Sequence, residues 1–98
     1  MLIVAAKIKT QPGRRDDFIK AAQPVIAATR GEAGCVRYEL YASTENANEV
    51  MYFEQWTSRA ALDAHMQTPH LVAFRELRVK EGLVEGQSDV QIFEVSGS

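Results

Sequence analysis

The sequence predicts an α+β fold, a ferredoxin-like βαββαβ arrangement with one antiparallel four-stranded sheet, on three observations. Four short runs rich in Ile, Val, Tyr and Phe alternate with segments of helical periodicity, in the order strand, helix, strand, strand, helical pair, strand. Right-handed crossovers in that order put the first and third strands in the middle of the sheet. Those two strands are also the ones whose faces are both largely apolar, as strands covered on both sides must be. A length of 98 residues suits one domain over residues 1–98, with a short tail at 96–98 that should fray.

The first strand is Leu2–Lys9. Leu2, Val4, Ala6 and Ile8 share one face, Ile3 and Ala5 the other, and Pro12-Gly13 stops the run. Residues 14–30 follow as a helix, with Phe18, Ile19, Ala22, Val25, Ile26 and Thr29 at steps of three and four. Asp16 and Asp17 oppose the positive helix end, and Arg30-Gly31 is a stop signal. Pro24 removes a backbone donor and should bend this helix, at a cost on the order of 3 kcal/mol.

Cys35–Ala42 alternates Val36, Tyr38 and Leu40 with Arg37, Glu39 and Tyr41, and residues 43–48 form a polar hairpin loop. Residues 49–57 are the third strand, with Val50, Tyr52, Glu54 and Trp56 on one face and Met51, Phe53 and Gln55 on the other. Ser58 caps a helix over Arg59–Met66 that carries Ala61, Leu62, His65 and Met66 on one side. Thr68-Pro69 interrupts it. A second helix runs over residues 69–81 with Pro at its first position and His70, Ala73, Phe74 and Leu77 on a stripe. Residues 82–88 are a loop and residues 89–95 the last strand.

Helices on one face leave the other open. That open face should carry Val4, Ala6, Ile8, Tyr52 and Trp56, or their neighbours if the register slips by one. An open apolar face marks a contact surface. The prediction is therefore a homodimer whose sheets pack face to face, with ligand space between sheet and partner.

Composition narrows the function. Eleven Lys and Arg against thirteen Asp and Glu give a net charge of -2, which disfavours nucleic acid as a partner. No apolar run is long enough to span a bilayer, so no membrane role is expected. Residues 1–6 lack the cationic leader of a signal peptide. The lone Cys35 cannot form an internal disulfide, which makes the cytoplasm the default compartment.

Chemistry is concentrated between Glu54 and His70. Glu54 shares a strand face with Trp56, and a carboxylate on an apolar face must be paired or protonated. Burial would raise its pKa toward neutrality and suit it to proton transfer; the alternative is an ion pair with an Arg or with a partner subunit. His65 falls on the apolar side of its helix, as a base or as a core histidine bonded to backbone. His70 begins a helix, where the positive end favours a neutral ring. The His65–His70 spacing of five across a proline is unlike a metal pair on one helix, so no metal is expected. Cys35 reads as a packed residue. Tyr38, Tyr52, Phe53 and Trp56 form either a stacking platform or core. No dinucleotide fingerprint, phosphate loop or Cys-x-x-Cys occurs, and the third strand lacks the RNA-recognition signature.

Glu32-Ala33-Gly34-Cys35-Val36-Arg37-Tyr38, Glu54-Gln55-Trp56-Thr57-Ser58, Ala61-Leu62-Asp63-Ala64-His65 and Thr68-Pro69-His70 together resemble the antibiotic biosynthesis monooxygenase (ABM) domain, in particular small bacterial quinol-monooxygenase-like proteins. The resemblance implies a dimeric α+β barrel that oxidises a small phenolic or quinol substrate with O₂, using no flavin, haem or metal cofactor. It further implies that Trp56, His65 and His70 line or gate the pocket and that Tyr52 or Tyr38 donates to the phenolate. Glu54 would orient a partner or act as base. Haem degraders of this fold carry a first-strand Asn where this chain has Ala6, which disfavours that use. Arg37 and Arg75 are the cations available to a charged substrate, with Arg75 assigned to substrate binding. The rival readings are a non-catalytic ligand-binding or stress-response barrel and an isomerase, which a second strong cation in the pocket would favour.

Overall fold

A computed structural model describes residues 1–96, so residues 97–98 of the tail expected to fray lie outside the described residues. The elements are β1 (Leu2–Lys9), α1 (Arg15–Arg30), β2 (Cys35–Ala42), β3 (Glu49–Trp56), α2 (Arg59–Met66), α3 (Pro69–Lys80) and β4 (Asp89–Glu94). The sheet order is β2-β3-β1-β4 and every pairing is antiparallel. The two strands with apolar residues on both faces are thus the central pair.

The faces themselves are exchanged relative to the sequence reading. Val4, Ala6, Ile8, Tyr52 and Trp56 are buried beneath the helices. The open face carries their neighbours: Ile3, Ala5, Met51 and Phe53 are half-buried there, and Phe93, opposite Ile3, is exposed. The physical reason lies in β2. Tyr38 pairs with Glu54 and Leu40 with Tyr52, so the apolar side of β2 joins that side of β3 against α1 and α2–α3. Arg37, Glu39 and Tyr41 go to the open side. Around Phe18 the core closes edge-on, with Phe74 at 5.5 Å and Tyr52 at 6.4 Å between ring centres.

Pro24 sits on the exposed side of α1, whose helical run is unbroken. The carbonyl it deprives of a donor belongs to Lys20, also exposed, so the lost bond does not leave a buried polar group. In α3 the buried residues are Leu71 and Phe74, while Ala73 and Leu77 of the expected stripe are exposed. That small rotation turns the arginines of α3 toward the sheet. No helix among the described residues is long and apolar enough to cross a membrane.

Candidate active site

A cavity of about 200 Å³ opens between the sheet and the α2–α3 pair. It does not lie between the sheet and a partner, because the large apolar side chains of β1 and β3 point to the helices. Val4, Ala6 and Ile8 form its floor, Leu62, Leu71 and Phe74 its roof, and Val90 and Ile92 of β4 its rim. The Thr68-Pro69 break turns the chain between α2 and α3, so the two helices do not cover the sheet as one rod.

Four buried polar groups from three elements line this apolar space: Tyr38 of β2, Tyr52 and Glu54 of β3, and His65 of α2. Burial pushes both phenols well above their usual range, and the Glu54 charge adds to the shift at each. Each therefore stays protonated and can donate. Glu54 is buried and accepts a hydrogen bond from the Trp56 indole Nε1–H at 3.0 Å. That indole, not an arginine, is its partner. Burial lifts the carboxyl to about 7, against the lowering effect of the indole bond; the Glu32 charge also raises it and Arg75 lowers it.

His65 is buried, and its ring lies against Trp56 at 4.7 Å and Tyr38 at 5.3 Å between ring centres. Its Nδ1 stands 3.0 and 3.1 Å from the two oxygens of Glu32. Nε2, on the other side of the ring, has no hydrogen-bond partner among the described residues. Burial lowers the pKa of this imidazole, opposed by Glu32, and leaves it a neutral ring able to accept a proton. Two expected pocket residues stand elsewhere. Trp56 is fully buried behind His65 and Glu54 rather than on the cavity wall, and His70 lies beyond Glu32, its Nε2 2.6 Å from Oε2.

Glu32 is the residue that reading the sequence missed. It lies in the turn after α1, outside any periodic pattern, and joins two histidines more than thirty residues away. Gly34 makes the approach possible. Its φ is +84°, and a Cβ there would fall 2.5 Å from the Ala61 Cβ, so α2 rests directly on this turn. The Thr57 N–H donates to the Gly34 carbonyl at 2.9 Å, and Ser58 Oγ caps α2 by accepting from the Ala61 N–H at 3.1 Å. Pro69 then starts α3 so that His70, one residue on, faces the same carboxylate. The spacing of five that spoke against a metal pair is overcome by this turn, which brings both rings to one carboxylate.

The ligand atoms of Glu32, His65 and His70 lie within 4.8 Å of one another, and these are the described residues that could hold a divalent metal. As they stand, the carboxylate meets both rings at hydrogen-bond distance. Cys35 is half-buried against the core, and burial pushes its thiol up, which keeps it protonated.

The cations also differ from expectation. Arg37 is on the open face, 3.9 Å from Glu39 and over the Phe53 ring, so it cannot serve the cavity. Arg75 is on the wall as expected, joined by Arg78 and Arg59.

Residues 1–77 match the family described as antibiotic biosynthesis monooxygenase. A protein of Synechocystis, described as uncharacterized, is 34% identical over 97% of this chain; the chain spans 63% of that protein's length. The Escherichia coli protein named "Probable quinol monooxygenase YgiN" is 33% identical, with 78% of this chain and 83% of that protein matched. Among solved structures, Rv0793 from Mycobacterium tuberculosis superposes with a TM-score of 0.85 at 31% identity, over 99% of this chain and 96% of that one.

Proposed function

The chain belongs to the antibiotic biosynthesis monooxygenase family, and from that premise we propose that it oxidises a small hydroxylated aromatic or quinol with O₂, the substrate itself supplying the electrons. One observation carries the reading: a neutral imidazole, His65, held by a carboxylate at 3.0 Å, lines a largely apolar cavity beside two protonated phenols.

In this reading His65 Nε2 removes a hydroxyl proton from the substrate. Glu32, hydrogen-bonded to Nδ1, fixes the ring and favours the cation that forms, and His70 links the pair to solvent. Tyr38 or Tyr52 donates to the phenolate. The electron-rich anion passes one electron to O₂, the resulting radicals combine at a ring carbon, and the O–O bond then breaks. One oxygen stays on the ring and the other leaves as water, so a quinol plus O₂ gives a hydroxyquinone plus H₂O. Glu54, poised near pH 7, supplies or takes a proton in that cleavage. Trp56 acts from behind, by holding Glu54 and backing His65.

We further propose a homodimer in which two sheets meet through Ile3, Ala5, Met51, Phe53 and Phe93, supported by the exposure of apolar residues on a helix-free face. The cytoplasm remains the proposed location, on the strength of a single unpaired thiol.

The test is oxygen uptake with a panel of hydroquinones in metal-free buffer. Turnover above a protein-free blank is expected, falling about 10²- to 10⁴-fold in His65→Ala. Uptake equal to the blank across the panel overturns the reading. Arg78, a cation on the wall beside Arg75, favours one rival, an isomerase that moves a proton on an anionic substrate. Isotope exchange from solvent into substrate without O₂ consumption would identify it.

A further inference from the structure

We propose that Arg75 and Arg78 form an anion subsite on the cavity wall and that the cavity takes a single aromatic ring bearing a carboxylate or phosphate group. The ring rests on the reading above; the subsite stands without it.

Five arginines of this chain have oxygen partners. Arg14 pairs with Asp17, Arg37 with Glu39 and Arg59 with Asp63. Arg15 donates to the carbonyls of Ser43 and Asn46, and Arg30 to that of Tyr38. Arg75 and Arg78 stand apart. Among the described residues neither has an oxygen partner; Arg75 meets only the Met66 sulfur, at 3.7 Å, and Arg78 lies over the Phe74 ring at 5.9 Å. Both stand on the wall of the same cavity. They are three residues apart on α3, hence neighbours on one face of it.

Arg78 is half-buried over the Phe74 ring and Arg75 is exposed, and each leaves several N–H donors without an oxygen partner among the described residues. A partly desolvated guanidinium with no partner is costly, and a planar carboxylate or a phosphate satisfies it best. Of the two acidic groups on the wall, Glu54 accepts from the Trp56 indole and makes no ion pair with either arginine. Asp63 is committed to Arg59. Size completes the description. At about 200 Å³ the cavity is smaller than the roughly 300–1,000 Å³ of sites for drug-sized ligands, which suits one ring.

The experiment is titration calorimetry under argon with gentisate, its neutral amide gentisamide, and phenyl phosphate. Gentisate should bind at least about tenfold tighter than gentisamide, as charge-assisted hydrogen bonds to a guanidinium require. Arg75→Gln and Arg78→Gln should each weaken gentisate about tenfold and leave gentisamide within about twofold. Because Arg78 packs on Phe74, Arg78→Lys is measured beside it and should keep the preference for the acid. Phenyl phosphate binding tighter than gentisate assigns the subsite to phosphate esters, and weaker binding assigns it to carboxylates. Equal affinity for acid and amide, or equal losses for both in the variants, overturns the proposal. Without O₂ the measurement is independent of turnover. A chain that prefers gentisate yet never consumes O₂ loses the oxygenase reading and keeps the subsite, and the opposite result does the reverse.

Discussion

The two faces of the sheet are built from the same strands and differ by one residue of phase. On the helix side β3 presents Val50, Tyr52, Glu54 and Trp56, all buried; on the other it presents Glu49, Met51, Phe53 and Gln55, all half-buried. The helix side gathers a carboxyl near neutrality, a neutral imidazole and two phenols into apolar surroundings. The open side interleaves Ile3 and Phe93 with Lys7, Gln55 and Gln91 and perturbs nothing comparably. What separates the two faces is desolvation: Tyr38, Tyr52, Glu54 and His65 on the helix side are buried and line the cavity.

The largest effect should come from the helix side. Trp56→Ala removes a fully buried indole and strips Glu54 of its donor, and should cost about 3–5 kcal/mol in urea unfolding. A loss under about 1 kcal/mol would mean that the two faces are less different than their burial suggests. Next is Glu54→Gln. The folded protein holds the Glu54 proton up to about pH 7, whereas the unfolded chain releases it near 4.5. The wild type therefore loses stability as pH rises from about 4.5 through 7, by up to about 3 kcal/mol at pH 8. The glutamine variant should lack that decline, so that the curves diverge above pH 5 in its favour. Parallel curves would place Glu54 in water. The smallest effect on folding belongs to Phe53→Ser on the open side, within about 1 kcal/mol for the protomer. Its consequence should be on association: sedimentation should show dimer for the wild type and protomer for the variant. A variant that stays dimeric would move the interface off this face.

The division into faces was partly legible in the sequence. The element order, the central position of β1 and β3, the Ser58 cap and the helix break at Pro69 all follow from local patterns. Which face the helices take did not follow from β1, because Val4 and Ala6 compete there with Ile3 and Ala5. The deciding signal sat in β2, where Tyr38 and Leu40 alternate with charged residues and, through the hairpin, carry Tyr52 and Glu54 inward. Glu54 and His65 were readable as buried polar groups on apolar stripes. Glu32 was not, since its role is a contact across more than thirty residues made from an aperiodic turn. Arg78 was hidden by a stripe on α3 set one step from the true one.

One strand remains only half incorporated. All six residues of β4 are exposed, and it is hydrogen-bonded to a single neighbour, β1, yet Val90 and Ile92 edge the cavity. A ring seated there would dry those two side chains and give the outermost strand the packing that the protein alone withholds. The guest would then act as a missing piece of the interior, tightening the carboxyl-terminal margin while it occupies the site and releasing it on departure.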